Sequence, residues 1–240
     1  MPSAEVEKQI GDIKTYLNIE ERYNQKSFPP PFFIEFTGPP LSGKTTTIDR
    51  LYDFLRAMGF QVLKPQEGAE VVPARLRDSP IFNLRTANYS LGILMDQMTD
   101  HRYDFVTFDR CIFDAYHWML HWFEKDKLSE EEMRTHQNHF LGTQWTSQVG
   151  LAYIMICDPE VARQRKYEKA SSKNSGKTTS PKSQKEITER FVRVYNELSP
   201  HYSQLRLIDT TTKSIKDVSE IVQKDVLEMC SKIVRQTQVI

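Results

Sequence analysis

Residues 38–45 read Gly38-Pro39-Pro40-Leu41-Ser42-Gly43-Lys44-Thr45 and match G-x-x-x-x-G-K-[ST] at every fixed position. A loop of this kind works only between a strand and a helix, and both neighbours are present. Phe32-Phe33-Ile34-Glu35-Phe36 reads as a short buried strand, and the chain from Thr46 onward reads as a helix. The glycines let the backbone curl until successive N–H groups face a polyphosphate. The helix start adds partial positive charge. Residues 38–46 (Thr46 included) are therefore the expected cradle for ATP. Lys44 is placed for the β- and γ-phosphates and the Thr45 hydroxyl for Mg²⁺. A second Gly-Lys-Thr, Gly176-Lys177-Thr178, lacks both a preceding strand and the first glycine, since residue 171 is Ser. It reads as part of a flexible loop.

A chain of 240 residues suffices for one α/β domain with a substantial core. Formal net charge is zero, so no overall field draws the chain to nucleic acid or membrane. No run of about 18 apolar residues offers a membrane span. The first residues carry Glu5, Glu7 and Asp12 without an apolar signal core, which reads as cytoplasmic. Cys111, Cys157 and Cys230 are odd in number and sit in apolar stretches without a C-x-x-C pair. They read as buried reduced thiols.

Residues 1–31 form an N-terminal helical extension, with Val6, Ile10, Ile13 and Leu17 on one face and Pro29-Pro30-Pro31 closing it. Such a helix packs on its own domain or, in the other reading, makes a homodimer contact. Residues 32–240 form the loop-bearing domain. Strands are expected near 60–64, 105–108, 151–156 and 205–208. Helices are expected over 46–58, most of 73–100, 112–123, 129–147, 185–198 and 214–234. Strands alternating with helices imply an α/β three-layer αβα sandwich on a five-stranded parallel sheet. Residues 163–185 carry Arg163, Arg165 and six lysines against one acid, Glu168. The stretch reads as a solvated loop or, more sharply, as a mobile basic lid over about 160–185 that closes on polyphosphate.

Three further patterns carry chemistry. Phe108-Asp109-Arg110 ends the third strand, at the sheet edge where parallel sheets bind ligands. An acid there can hold Mg²⁺, and an arginine can grip a phosphate through its forked donors. Asp158-Pro159 after the fourth strand reads as a helix N-cap followed by proline at the first helical position. The competing reading makes Asp158 the metal acid. Glu67 lies just beyond the second strand, where a carboxylate near the loop can take a proton; an ordinary solvated turn residue is the alternative. His117 and His121 share a helix with Asp114, but Trp118, Met119, Leu120 and Trp122 surround them, so a packed helix face is expected rather than a metal site.

In this order the motifs resemble the nucleoside and nucleotide kinase group of P-loop proteins over about residues 32–235. The likeness is greatest to the thymidylate-kinase and deoxynucleoside-kinase branch and to nicotinamide-riboside-kinase-like ATPases. The resemblance implies a catalytic set of Lys44, Asp109, Arg110, Arg163, Arg165 and Glu67, with Glu67 as base for a sugar hydroxyl. It implies metal ligation by Thr45 and Asp109. It also implies an acceptor pocket built on the segment bearing Arg75, Arg77, Phe82, Arg85, Asn88 and Tyr89, and an adenine contact at Asp209-Thr210-Thr211. Cys111 stands where the family often has Gly or Ser, and Gly68 follows Glu67 where the family has proline. The implied function is ATP- and Mg²⁺-dependent transfer of the γ-phosphoryl group to a small nucleoside, nucleotide or similar acceptor. A nucleotide-dependent regulatory ATPase or binding module is the alternative from another class. A nucleic-acid 5′-kinase suits the basic lid but not the neutral chain, and no N-K-x-D motif supports a GTPase.

Overall fold

The computed structural model describes residues 4–17, 31–100, 102–169 and 181–237, with side chains given outside 166–169 and residues 181 and 237. The expected Pro29-Pro30 stop, the middle of the basic lid and Gly176-Lys177-Thr178 lie outside these residues. The chain runs α1 (Ala4–Tyr16), β1 (Phe32–Thr37), α2 (Lys44–Ala57), β2 (Val62–Leu63), α3 (Gly68–Val71), a 3₁₀ turn (Ala74–Leu76) and α4 (Pro80–Gln97). It continues β3 (Phe105–Asp109), α5 (Ile112–Phe123), α6 (Glu130–Phe140), α7 (Thr143–Thr146), β4 (Val149–Ile156), α8 (Pro159–Lys169), α9 (Pro181–Leu198), β5 (Leu205–Asp209) and α10 (Ile215–Thr237).

The strands form one parallel sheet in the order β2-β3-β1-β4-β5. β1 is central and all six of its residues are buried, as a strand covered by helices on both faces requires. Its side chains alternate. Phe32, Ile34 and Phe36 join α1, α2 and α10 in one core cluster. Phe33 joins α4, α5 and α9 in the other. Because β1 lies mid-sheet, the loop leaving its carboxyl end opens at the centre of the sheet edge, between the two helical layers.

The clearest differences from expectation are these. The helix expected over 129–147 is two, and the break falls at Leu141-Gly142. Ser129 caps the first part through the expected capping box with Glu132. β2 shrinks to two residues because it is an edge strand paired with β3 alone, and Phe60 turns into the core beneath. α9 begins at Pro181 rather than 185, and β4 begins at Val149 rather than 151. The three cysteines are buried and free. Among the described residues no helix is long and apolar enough to cross a membrane.

Candidate active site at the phosphate loop

The loop is shaped by close approach. Gly38 has φ 141°, and a Cβ on it would stand 2.0 Å from the Met155 carbonyl oxygen of β4. Leu41 and Gly43 also adopt positive φ, at 66° and 98°. Gly43 caps α2 without any side-chain hydrogen bond, and the start of the helix carries the partial positive charge that favours an anion. Lys44 is buried, and its Nζ donates to the carbonyl oxygens of Gly38 and Pro39, both at 3.0 Å. Burial, and secondarily the charge of Arg110, pushes its pKa down to about 8. The Ser42 hydroxyl is buried and makes no hydrogen bond among the described residues. A helix start with an unpartnered buried hydroxyl and an ammonium that stays mostly charged near neutral pH fits a polyphosphate.

Thr45 and Asp109 meet across the sheet edge, the threonine hydroxyl donating to Asp109 Oδ2 at 3.0 Å. Asp109 Oδ1 is buried and has no partner among the described residues. One hydroxyl and one unsatisfied carboxylate oxygen beside a phosphate cradle suit Mg²⁺, which takes few protein ligands and completes its shell with phosphate and water. No cluster of three or more His, Cys, Asp or Glu exists among the described residues, so an all-protein metal cage is not what this site offers. Asp158 is occupied otherwise. Its Oδ1 accepts the amides of Glu160 and Val161 at 2.8 and 3.3 Å, the N-cap of α8.

A polar cluster supports the other side of the loop. Arg110 sits at φ 73°, a costly conformation for a side-chain-bearing residue, and its own amide donates to the Phe36 carbonyl at 2.8 Å. Its guanidinium donates to Glu67 at 2.8 Å and to Asp114 at 3.2 Å. Burial opposes the Arg110 charge, but the carboxylates of Asp114, Glu67 and Asp109 outweigh it and hold the pKa above the ordinary value. Burial raises Glu67 against the lowering pull of Arg110. Behind them lies Glu35, wholly buried in β1. One of its oxygens accepts the amides of Cys111 and Asp114, both at 2.9 Å, and the other accepts that of Phe113 at 3.1 Å. The sequence reading gave Glu35 no role. The available signal was a lone charge inside an apolar strand.

Two cavities flank the loop. One, of about 420 Å³, runs along Leu41 to Thr47 and is closed by Arg165, Thr210, Lys213, Ile215 and Val218. The other, of about 670 Å³, starts at Pro40, Glu67 and Arg110 and ends among Phe82, Asn83, Trp118, Trp122 and Arg190. Of the residues expected at the acceptor, Arg77 and Phe82 line this second cavity. Arg85, Asn88 and Tyr89 instead border a separate groove with Val71 and Leu84. Arg75 lines neither. The tryptophans of α5 were read only as core, because helical spacing does not tell a cavity wall from an interior. Arg165 donates to the carbonyl and hydroxyl of Thr210 at 2.6 and 3.0 Å, and Thr210 in turn donates to the Ser42 carbonyl at 3.0 Å. Arg163 lies half-exposed on α8 and pairs with Glu160. His117 is stacked on Phe191 with ring centroids 3.6 Å apart, and neither ring nitrogen finds a hydrogen bond among the described residues.

No family model and no curated protein matches the sequence. Solved structures do match. A deoxyadenosine kinase from M. mycoides with the products dCMP and a flexible dCDP bound superposes with a TM-score of 0.58 at 12% identity, over 81% of this chain and 98% of that one. The same kinase with bound dCTP gives 0.54 at 13% identity over the same shares. The chain therefore has the P-loop fold seen in deoxynucleoside kinases, with its five-stranded parallel sheet flanked by helices.

Proposed function

We propose that this protein is a nucleoside kinase, transferring the γ-phosphoryl group of Mg·ATP to the sugar hydroxyl of a nucleoside. The observation that carries the reading is the position of the Glu67–Arg110 pair. It stands where the larger cavity opens onto the phosphate loop, 2.8 Å across, with both side chains lining the cavity. An acceptor held in that cavity presents its hydroxyl to a carboxylate on one side and to the transferring phosphoryl group on the other. The likeness of fold to deoxyadenosine kinase supports the same reading.

In this reading ATP lies in the smaller cavity with its phosphates cradled by residues 38–46, the N–H donors being those other than Pro39 and Pro40. Lys44 leaves the Gly38 and Pro39 carbonyls for the β- and γ-phosphates. Thr45 and Asp109 would hold Mg²⁺, which supplies charge neutralisation between the phosphates. Glu67 takes the hydroxyl proton, its basicity raised by burial. Arg110 steadies Glu67 and faces the developing charge. Arg165, on α8, bonds Thr210 and lines the smaller cavity, and in this reading it acts on the phosphates. Phosphoryl transfer needs positioning and charge more than covalent help, and this set supplies both.

The test is transfer from Mg·ATP to a panel of nucleosides and nucleoside monophosphates. Lys44→Ala should abolish transfer in a protein that still folds. Glu67→Gln should lower kcat by about a hundredfold or more while leaving ATP affinity in place. Full activity in either variant would remove the assignment.

A further inference from the structure

One amide in the wall of the larger cavity has its orientation fixed by a neighbour. Asn83 on α4 and Trp122 on α5 are both buried, at 7% and 6% exposure, and both line the cavity together with Glu67 and Arg110. The indole Nε1 of Trp122 donates to Asn83 Oδ1 at 2.9 Å. An indole nitrogen can only donate, so the amide oxygen must face it. The other amide atom, Nδ2, brings two N–H donors and has no partner among the described residues. It is not sealed from solvent. Turning the amide over would set donor against donor and strand the buried indole N–H. The backbone beneath is held as well. Thr86 Oγ1 donates to the Asn83 carbonyl at 2.9 Å, and a Cβ on Gly68 would stand 2.9 Å from the Thr86 carbonyl. The segment bearing Glu67 is thus pressed against the turn of α4 that bears Asn83.

We propose that Asn83, locked by Trp122, determines acceptor specificity: the cavity selects nucleosides whose base carries a carbonyl oxygen at the wall over those with an exocyclic amino group there. This selectivity rests on the nucleoside-kinase reading above. A carbonyl oxygen accepts from Nδ2, whereas an amino group meets a second donor and leaves both unpaired. A site built to hydrogen-bond one group rejects the mismatched one strongly, here by about tenfold to a hundredfold in kcat/KM.

Matched acceptors test it: deoxyuridine against deoxycytidine, and deoxyinosine against deoxyadenosine, each with Mg·ATP. The wild-type protein should favour the first of each pair. Trp122→Phe keeps an aromatic ring but frees the amide to turn, so the ratio within each pair should fall toward one. Asn83→Asp replaces donors with acceptors and should reverse the preference. Ratios within one variant are independent of how much of it folds. Wild-type preference for the amino-bearing partners, or an unchanged ratio in Trp122→Phe, overturns the assignment while leaving the kinase reading intact. Transfer to none of the four overturns this selectivity, and transfer to none of the wider nucleoside panel removes the kinase reading as well.

Discussion

A side chain at Gly38 has nowhere to go. Its added Cβ would meet the Met155 carbonyl at 2.0 Å, and backbone atoms cannot swing aside as a flexible side chain can. Gly38→Ala should therefore force β1 and β4 apart at the mouth of the loop. The expected result is loss of ATP-analogue binding by calorimetry together with a lowered Tm; an alanine variant that binds normally would contradict the geometry. Lys44 gives a second residue-level prediction, in pH. Its pKa is lowered to about 8 in the free protein, and only the protonated form attracts phosphate. A bound polyphosphate favours the charged form, so affinity should be steady below that pH. Above it, affinity should weaken by up to about tenfold per unit. Titrations between pH 7 and 9.5 that give a flat affinity would count against it. Lys44 and Thr45 were legible in the sequence because the motif encodes what the main chain itself must do. Asn83 and Trp122 were not, because their meeting depends on how α4 crosses α5, which no local pattern records.

At the level of elements, the join between β1 and α5 is the most consequential. The first turn of α5 has donors that the helix cannot satisfy, and Glu35 takes those of Cys111, Phe113 and Asp114 at once. Each buried donor left unpaired costs about 1–3 kcal/mol, so Glu35→Ala should destabilise the fold by about 3 kcal/mol or more in urea denaturation. Because Arg110 at φ 73° lies immediately before that turn, activity should fall with it. The carboxyl is raised by burial from 4.5 to about 7, with its three amide partners limiting the rise. The native state then holds this proton more tightly than the unfolded chain. Its stabilising share is complete below about 4.5 and is lost as pH rises through about 7. Glu35→Gln should flatten the stability profile across that window, and an unchanged slope would refute the sign. Element boundaries were readable where a side chain announces them, as at Ser129 and Asp158. They were missed where continuity hides a break. The pattern through Trp145 runs on past Gly142, yet the helix stops there.

For the whole molecule, alternation of strands and helices announced a parallel sheet but not the order β2-β3-β1-β4-β5, which is a property of crossovers rather than of any segment. The same holds for α1, whose apolar face was plain while its partner was not. It packs along α10, and Ile10, Ile13 and Leu17 enter the cluster that contains Phe32, Phe60 and Val234. Tyr16 contacts Phe32 at the start of β1, and Lys14 lies 5.9 Å over the Phe60 ring, so α1 sits at the end of the sheet opposite the phosphate loop. Burial of three large aliphatic side chains contributes on the order of 5 kcal/mol, a large share of the net stability of an ordinary domain. Ile13→Ala alone should cost about 2–5 kcal/mol. A chain starting at residue 31 should unfold at much lower urea concentration, or fail to fold. Distance from the loop adds a second expectation. Folded Ile13→Ala should bind the ATP analogue with wild-type affinity at low temperature, because the helix touches neither cavity. Stability lost with affinity kept would mark α1 as part of the core. Unchanged stability would show the helix to be a detachable appendage.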